Sequence, residues 1–417
     1  MKRLLFFIAA LCFTGIADTV SAQEKAADTK NKKAAKKLPE PKRPPGVLVI
    51  GNGNAAWAAG LQAAKSGVLS TILLQQEDFQ LSPVSESLQS GILAELTALL
   101  SKARPGADLK NVYTEPAVAG AVLKKWADSI KDLTVLRDVK ALKIERAGRG
   151  WSVKTSDGKT LKARVLVLAG AADMSQVKGF SNMTPQALAF GYEDNRYRTS
   201  AGAGAAGNTF YPLYNLYQES QENLVFANAP GAGFVLGQAA GAVAAYAAFF
   251  DLKTSQSDLK KIQGELMAFK LALVPFADIA ASDPNWRAIQ QIGLPGIVKG
   301  IKNGPALEFQ PDREITYQEI RQPMKDFYYK AQIWFDDFPE GPMTIEKVIN
   351  MASYVGNKSP QTARAEAEKR WSSVYRFPGK FDAEKIATRR EFAVLLYDFL
   401  TPKPFDVRVD KNGNVLR

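Results

Sequence analysis

Gly51-Asn52-Gly53-Asn54-Ala55-Ala56 follows directly on the apolar run Val47-Leu48-Val49-Ile50 and leads into a small-residue stretch, Trp57 to Ser66, closed by Gly67. Strand, glycine turn and helix in that order make a binding turn for a phosphate chain. Gly51 allows the tight bend, Gly53 lets backbone amides approach a pyrophosphate, and Ala56 keeps the helix close to the strand. The N–H groups at the helix start, including those of Asn54 and Ala55, and the helix dipole then favour an anion. A bare Gly-x-Gly says little in a chain with 31 glycines. The weight lies in its context, because Thr71-Ile72-Leu73-Leu74 supplies a second strand at the spacing of a βαβ unit.

What the chain lacks restricts its chemistry as firmly. It contains no histidine, and its one cysteine is Cys12. There is no imidazole base, no Ser-His-Asp triad and no His-ligated metal, and a zinc site would need carboxylates alone. No flavin can be tethered through a histidyl bond. Proton transfer must fall to Asp, Glu, Lys, Tyr or Arg, and redox chemistry to a bound cofactor.

Met1-Lys2-Arg3, the apolar stretch Leu4 to Ile16 and the small-residue site Val20-Ser21-Ala22 have the form of a secretory signal peptide over 1–22. The expectation is an exported protein, periplasmic or secreted, with Cys12 removed along with the segment. Residues 23–45 carry eight Lys or Arg, three acidic residues and four prolines, the composition of a disordered basic linker. That arm holds +5 of the formal +12 charge, so the basic balance is not a nucleic-acid footprint; an anionic envelope or polysaccharide surface is the contact it suits.

Beyond Gly46 the pattern reads as α/β. Helical spacing is expected around Ile92 to Lys102 and over Val118 to Ile130. Leu133 to Leu136, Ala141 to Glu145, Gly150 to Lys154 and Ala163 to Leu168 read as strands, with a hairpin turn at Ser156-Asp157-Gly158. This predicts a three-stranded antiparallel insertion followed by a central strand buried on both faces, Arg164 to Gly170. No charge occurs from Asn223 to Phe250, but Pro230 and Gly231 break the run and alanine and glycine dominate it, so a membrane span is not expected. Gly233, Gly237 and Gly241 instead align on one helical face, open to close packing or a flat ligand, and Ala56, Gly60 and Ala64 form a similar small face on the first helix.

The order of parts resembles the FAD-dependent oxidoreductases of the glutathione-reductase-like superfamily. It is most similar to the secreted bacterial branch labelled xanthan-lyase-associated. The resemblance is carried by the glycine turn, the hairpin Gly150 to Lys159, the strand Ala163 to Gly170, and Asn223-Leu224-Val225-Phe226-Ala227 leading into Gly237-Gln238-Ala239-Ala240-Gly241. It implies a Rossmann-like FAD/NAD(P)-binding fold over 46–255, with Gly51, Gly53 and Ala56 on the pyrophosphate and Val139 meeting adenine through backbone atoms. Ala169, Gly170 and Asp173 would stand in the family's Ala-Thr-Gly stretch, and Gly233, Gly237 and Gln238 on the late helix would face the flavin. Tyr211, Tyr214 and Arg198, which precede that helix, are the candidates for a proton relay or substrate anchor. The implied activity is that of a secreted oxidoreductase with non-covalent FAD and a small organic or saccharide substrate.

Three departures stand beside it. Gln75 occupies the place of the acid that holds the adenosine ribose, giving up a charge-assisted bond. The Gly-Gly turn expected after that acid is absent from Asp78 to Ser82, and there is no room for a large substrate domain. These motivate an alternative, a catalytically degenerate scaffold or glycan/envelope-binding module. In 256–417, a region expected to be helical, Phe309 to Ile320 and Phe381 to Phe392 share a Thr-x-x-Glu capping box and resemble surface-layer-homology repeats. Tyr328, Tyr329, Trp334 and Phe335 there would either stack on sugar rings or fill a helical core.

Overall fold

The computed structural model describes residues 46–416 apart from 78, 80, 83–88, 109–114, 171–182, 205–207, 230 and 339. The signal peptide, the basic arm and Asp173 lie outside the described residues.

Val47–Gly51 (β1) enters Gly53–Lys65 (α1) and returns as Ser70–Leu73 (β2). Gly91–Ala103 (α2) and Pro116–Ser129 (α3) then lead to Leu133–Leu136 (β3). A meander of Ala141–Ala147 (β4), Gly150–Thr155 (β5) and Thr160–Ala163 (β6) intervenes before the chain re-enters the sheet at Val165–Ala169 (β7). Leu188–Ala189 (β8), Ser200–Ala203 (β9) and Thr209–Pro212 (β10) form a small antiparallel sheet of order β8-β10-β9. Leu224–Ala227 (β11) closes the central sheet and Gly233–Phe249 (α4) follows it.

The central sheet has the order β11-β7-β1-β2-β3, parallel throughout, with Ile50 opposite both Leu73 and Leu168. This is the Rossmann-like strand order, with its switch point between β1 and β7. Strand alternation divides the core in two. Val47, Val49, Val165 and Val167 face α1 and α4, whereas Leu48, Ile50, Leu166 and Leu168 face Ile144, Trp151 and Val153 of the meander. Covering both faces is what permits the unbroken apolar run of β7, all five residues of which are buried. The β5–β6 turn is the expected one at Asp157-Gly158, with Asp157 accepting from the Thr155 hydroxyl at 2.5 Å.

The glycine stripe of α4 is spent on α1. A Cβ at Gly237 would lie 2.3 Å from the Ala55 carbonyl, and one at Gly241 2.4 Å from that of Ala59. The matching face of α1 is therefore Ala55, Ala58 and Ala59. Gly60, expected on that face, turns instead to the sheet, where its Cβ would meet Ile72 at 2.3 Å. No helix among the described residues is long and apolar enough to cross a membrane.

The remainder is helical, with one hairpin, Ile301–Asn303 (β12) and Ala306–Glu308 (β13). Leu259–Ala268 (α5) and Trp286–Gly293 (α6) precede it; Tyr317–Phe327 (α7), Tyr329–Asp337 (α8), Ile345–Val355 (α9), Pro360–Arg370 (α10) and Arg389–Phe399 (α11) follow. Thr316 caps α7 through the Glu319 amide, and Thr388 with Glu391 completes a reciprocal capping box on α11. A third helix, α9, is capped in the same way by Thr344, without a Glu at the third position. The three helix starts are sewn together: Ile315 N–H donates to Ala387 O, Ala387 N–H to Met343 O, and Arg389 N–H to Arg313 O, at 2.9, 2.9 and 2.8 Å. Tyr328, Trp334 and Phe335 fill this bundle, being 7 %, 1 % and 2 % exposed, and of the four aromatics only Tyr329 faces solvent.

Candidate functional site

The C-terminal ends of the parallel strands share one edge, and the glycine turn rises from it. Gly53 has φ +67°, a left-handed conformation that a side chain would strain. Gly170, at the end of β7, has φ +65°, and a Cβ there would come within 2.4 Å of the Asn52 carbonyl. At Gly51 a Cβ would fall 1.6 Å from the Ala169 carbonyl. Bare backbone from two neighbouring strands therefore meets at the switch point, packed so closely that a side chain at Gly51 or Gly170 would strike main chain.

Two helix starts meet there. The first turn of α4 abuts that of α1, since a Cβ at Gly233 would lie 2.8 Å from Asn54 Cβ. Ala232 at the head of α4 provides no side-chain cap, and Asn52 caps α1 by accepting from the Gly53 amide at 2.7 Å. Two converging helix N-termini give this edge a positive electrostatic character suited to an anion.

The side chains around the edge are largely engaged with one another. Asn54 exchanges two 3.1 Å hydrogen bonds with the backbone of Ser82, donating to its carbonyl and accepting from its amide. Asn52 donates to Gln76 Oε1, tying the turn to the end of β2. Neither link was anticipated, although Asn directly before a helix is a readable capping signal. Gln75 is half-buried at the end of β2, the position expected for a ribose contact. Val139, expected to meet adenine through backbone atoms, lies beside it, and its N–H donates to Leu74 O at 3.1 Å.

Gln238 departs furthest from expectation. It is 1 % exposed, its Nε2 donates to Gln62 and its Oε1 accepts from the Ile92 amide, so it joins three helices behind the edge. Gly237 likewise lies in the helix seam. Arg198 is a clamp: its guanidinium donates to Pro295 O, Asn195 Oδ1 and Gly413 O at 2.9, 2.7 and 3.0 Å, binding the C-terminal segment to the small sheet. Burial pushes the Tyr211 and Tyr214 hydroxyls above the ordinary phenol range, with Asp258 and Asp410 adding to the effect at Tyr214, so both stay protonated at neutral pH. The structure thus brings Gly51, Gly53, Asn54, Ala55, Ala56, Gln75, Ala169, Gly170 and Gly233 to one edge, and gives Gln238 and Arg198 structural partners.

A cavity of about 320 Å³ opens beside the start of α11, between Asn285, Arg376, Phe377, Lys385, Arg390 and Glu391. Its charges are largely paired, Arg390 with Asp283 at 2.8 Å and Lys385 with Glu391 at 2.6 Å. No group of three or more His, Cys, Asp or Glu among the described residues could hold a metal ion.

No protein-family model and no curated protein matches the chain. Among solved structures it is similar to a GidA-related protein from Thermus thermophilus, at 16 % identity and a TM-score of 0.33, over 49 % of this chain and 98 % of that one. It is also similar to GidA of Aquifex aeolicus, at 16 % identity and a TM-score of 0.22, where the match spans 36 % of this chain and only 26 % of that one. For thioredoxin reductase of T. acidophilum the figures are 17 % and 0.19, over 40 % and 44 %. The fold assignment rests on the sheet order and crossovers described above.

Proposed function

We propose that the protein is an exported flavoprotein oxidoreductase that holds FAD non-covalently at the C-terminal edge of its parallel sheet and acts on a small organic or saccharide substrate. The observation that carries this reading is the meeting of the α1 and α4 N-termini over bare backbone at the switch point between β1 and β7. The turn suits a dinucleotide pyrophosphate: amides of Asn54 and Ala55 would hold its oxygens, the Gly53 amide being engaged by Asn52, and Gln75 would bond the ribose. Bound there, a flavin would supply the two-electron chemistry that this chain's side chains lack. The residues' own part is to bind, to orient and, through the start of α4, to stabilise negative charge beside Gly233. Isothermal titration of the full chain with FAD, FMN and NAD tests the reading: one-to-one binding selective for FAD supports it, and binding of none of the three removes it.

A second reading, a flavoprotein-type fold serving as a glycan- or envelope-binding scaffold, is favoured by a separate observation. Asn52, Asn54 and the Val139 N–H already have protein partners, and an amide, Gln75, stands in place of the ribose-binding acid. The cavity beside α11, with Phe377 and paired charges in its wall, would suit a sugar ring. FAD bound without reduction by any reducing sugar tested, together with retention on an immobilised polysaccharide, would select this reading over turnover.

A further inference from the structure

Four buried side chains and one backbone amide form a hydrogen-bond series that runs in a single direction. The Ile92 N–H at the start of α2 donates to Gln238 Oε1 at 3.0 Å, and Gln238 Nε2 donates to Gln62 Oε1 at 3.0 Å. Gln62 Nε2 donates to Ser66 Oγ at 3.1 Å, and Ser66 Oγ to Glu265 Oε1 at 3.2 Å. Gln238, Gln62, Ser66 and Glu265 are 1 %, 0 %, 4 % and 7 % exposed. Gly91 admits the contact, since a Cβ there would stand 2.1 Å from Gln238 Oε1. Donors aligned in series polarise one another, and this series ends on its one ionisable member, Glu265 of α5.

Among the described residues no positive charge answers that carboxyl. Lys65, at the end of α1, is bound to Glu95 of α2 at 2.5 Å, Lys261 of α5 lies over the Phe250 ring, and Lys270 beyond α5 lies over Trp286. Lys260 of α5 sits over Phe405 near Asp406, and Asp258 caps the helix. On α4 the titratable neighbour is Tyr246, pushed up to about 12 by burial, and β9 contributes no charged residue. Burial raises the Glu265 carboxyl to about 8, against the pull of the Ser66 hydroxyl.

We propose that Glu265 is a proton-sensing switch that, through Ser66, Gln62 and Gln238, couples pH to the joint between α1, α2 and α4 behind the sheet edge, whatever ligand that edge holds. The folded state favours the neutral acid, so this group's stabilising contribution is complete below the unfolded value of 4.5 and declines as pH rises towards 8. Above that range the cost of a carboxylate buried without a counter-charge outweighs the stronger bond it accepts from Ser66, so states that admit water to it are favoured and the joint loosens.

The test is unfolding of the full chain from pH 5 to pH 9, wild type against Glu265→Gln, with amide exchange followed at Ile92. Wild type should lose stability relative to Glu265→Gln across this range. Once corrected for intrinsic rate, its Ile92 exchange should rise about tenfold while that of the variant stays level. Ser66→Ala, which cuts the series, should keep the pH slope of stability and abolish the response at Ile92. Parallel stability profiles in wild type and Glu265→Gln, or an Ile92 response that survives in Ser66→Ala, would overturn the proposal. Should Glu265→Gln not fold, carboxyl titration of the wild type followed by NMR decides: a Glu265 midpoint below pH 6 refutes it.

Discussion

The Asn54 side chain and the Ser82 backbone exchange two hydrogen bonds of 3.1 Å, so the first turn of α1 is fastened to the segment that follows β2. What the turn offers an anion is therefore main chain rather than side chain. Asn54→Ala should leave dinucleotide affinity within about threefold, a change of under 1 kcal/mol. Gly170→Val, which places a side chain against the Asn52 carbonyl, should abolish binding. Titration calorimetry of both variants checks this, and a larger loss in Asn54→Ala than in Gly170→Val would contradict it.

Gln75→Glu should tighten FAD binding. A carboxylate accepting from ribose hydroxyls makes bonds roughly twice as strong as an amide does, worth on the order of 1 kcal/mol or several-fold in Kd. Fluorescence titration with FAD measures it; unchanged affinity would mean that Gln75 does not meet the ribose.

Gly237→Leu should destabilise the fold by about 1–3 kcal/mol or more, because the side chain would be driven into the Ala55 carbonyl and the Ala58 methyl. Denaturant unfolding reads the loss directly.

Trp334→Ala should cost about 3–5 kcal/mol, as expected for an aromatic ring removed from a packed core. Tyr329→Ala, at 77 % exposure, should stay within about 0.5 kcal/mol of wild type. Equal effects in urea unfolding would contradict the division of these aromatics into core and surface.

The sheet was legible in the sequence because strand periodicity, the Asp157-Gly158 turn and the glycine stripe of α4 are local signals. The small sheet of β8, β9 and β10 was not, since its two-to-four-residue strands, broken by Gly202, Gly204 and Pro212, carry too short a pattern. The backbone half of the candidate site could be read from Gly51, Gly53 and Gly170, where only glycine fits. Its side-chain half could not, because the pairings of Asn54 with Ser82, Gln238 with Gln62 and Arg198 with Gly413 join residues 28, 176 and 215 positions apart. Long-range partners decide whether a polar residue is a ligand contact or a joint. The third capped helix, at Thr344, escaped because Lys347 stands where the capping-box Glu would be.

Flavin binding is tested most directly by a visible absorption spectrum of the purified full chain, taken as isolated and again after incubation with FAD and gel filtration. One flavin per chain is expected, with a band that bleaches on adding dithionite and a raised unfolding temperature in the bound form. A chain that stays colourless at saturating FAD and unfolds at an unchanged temperature would contradict it.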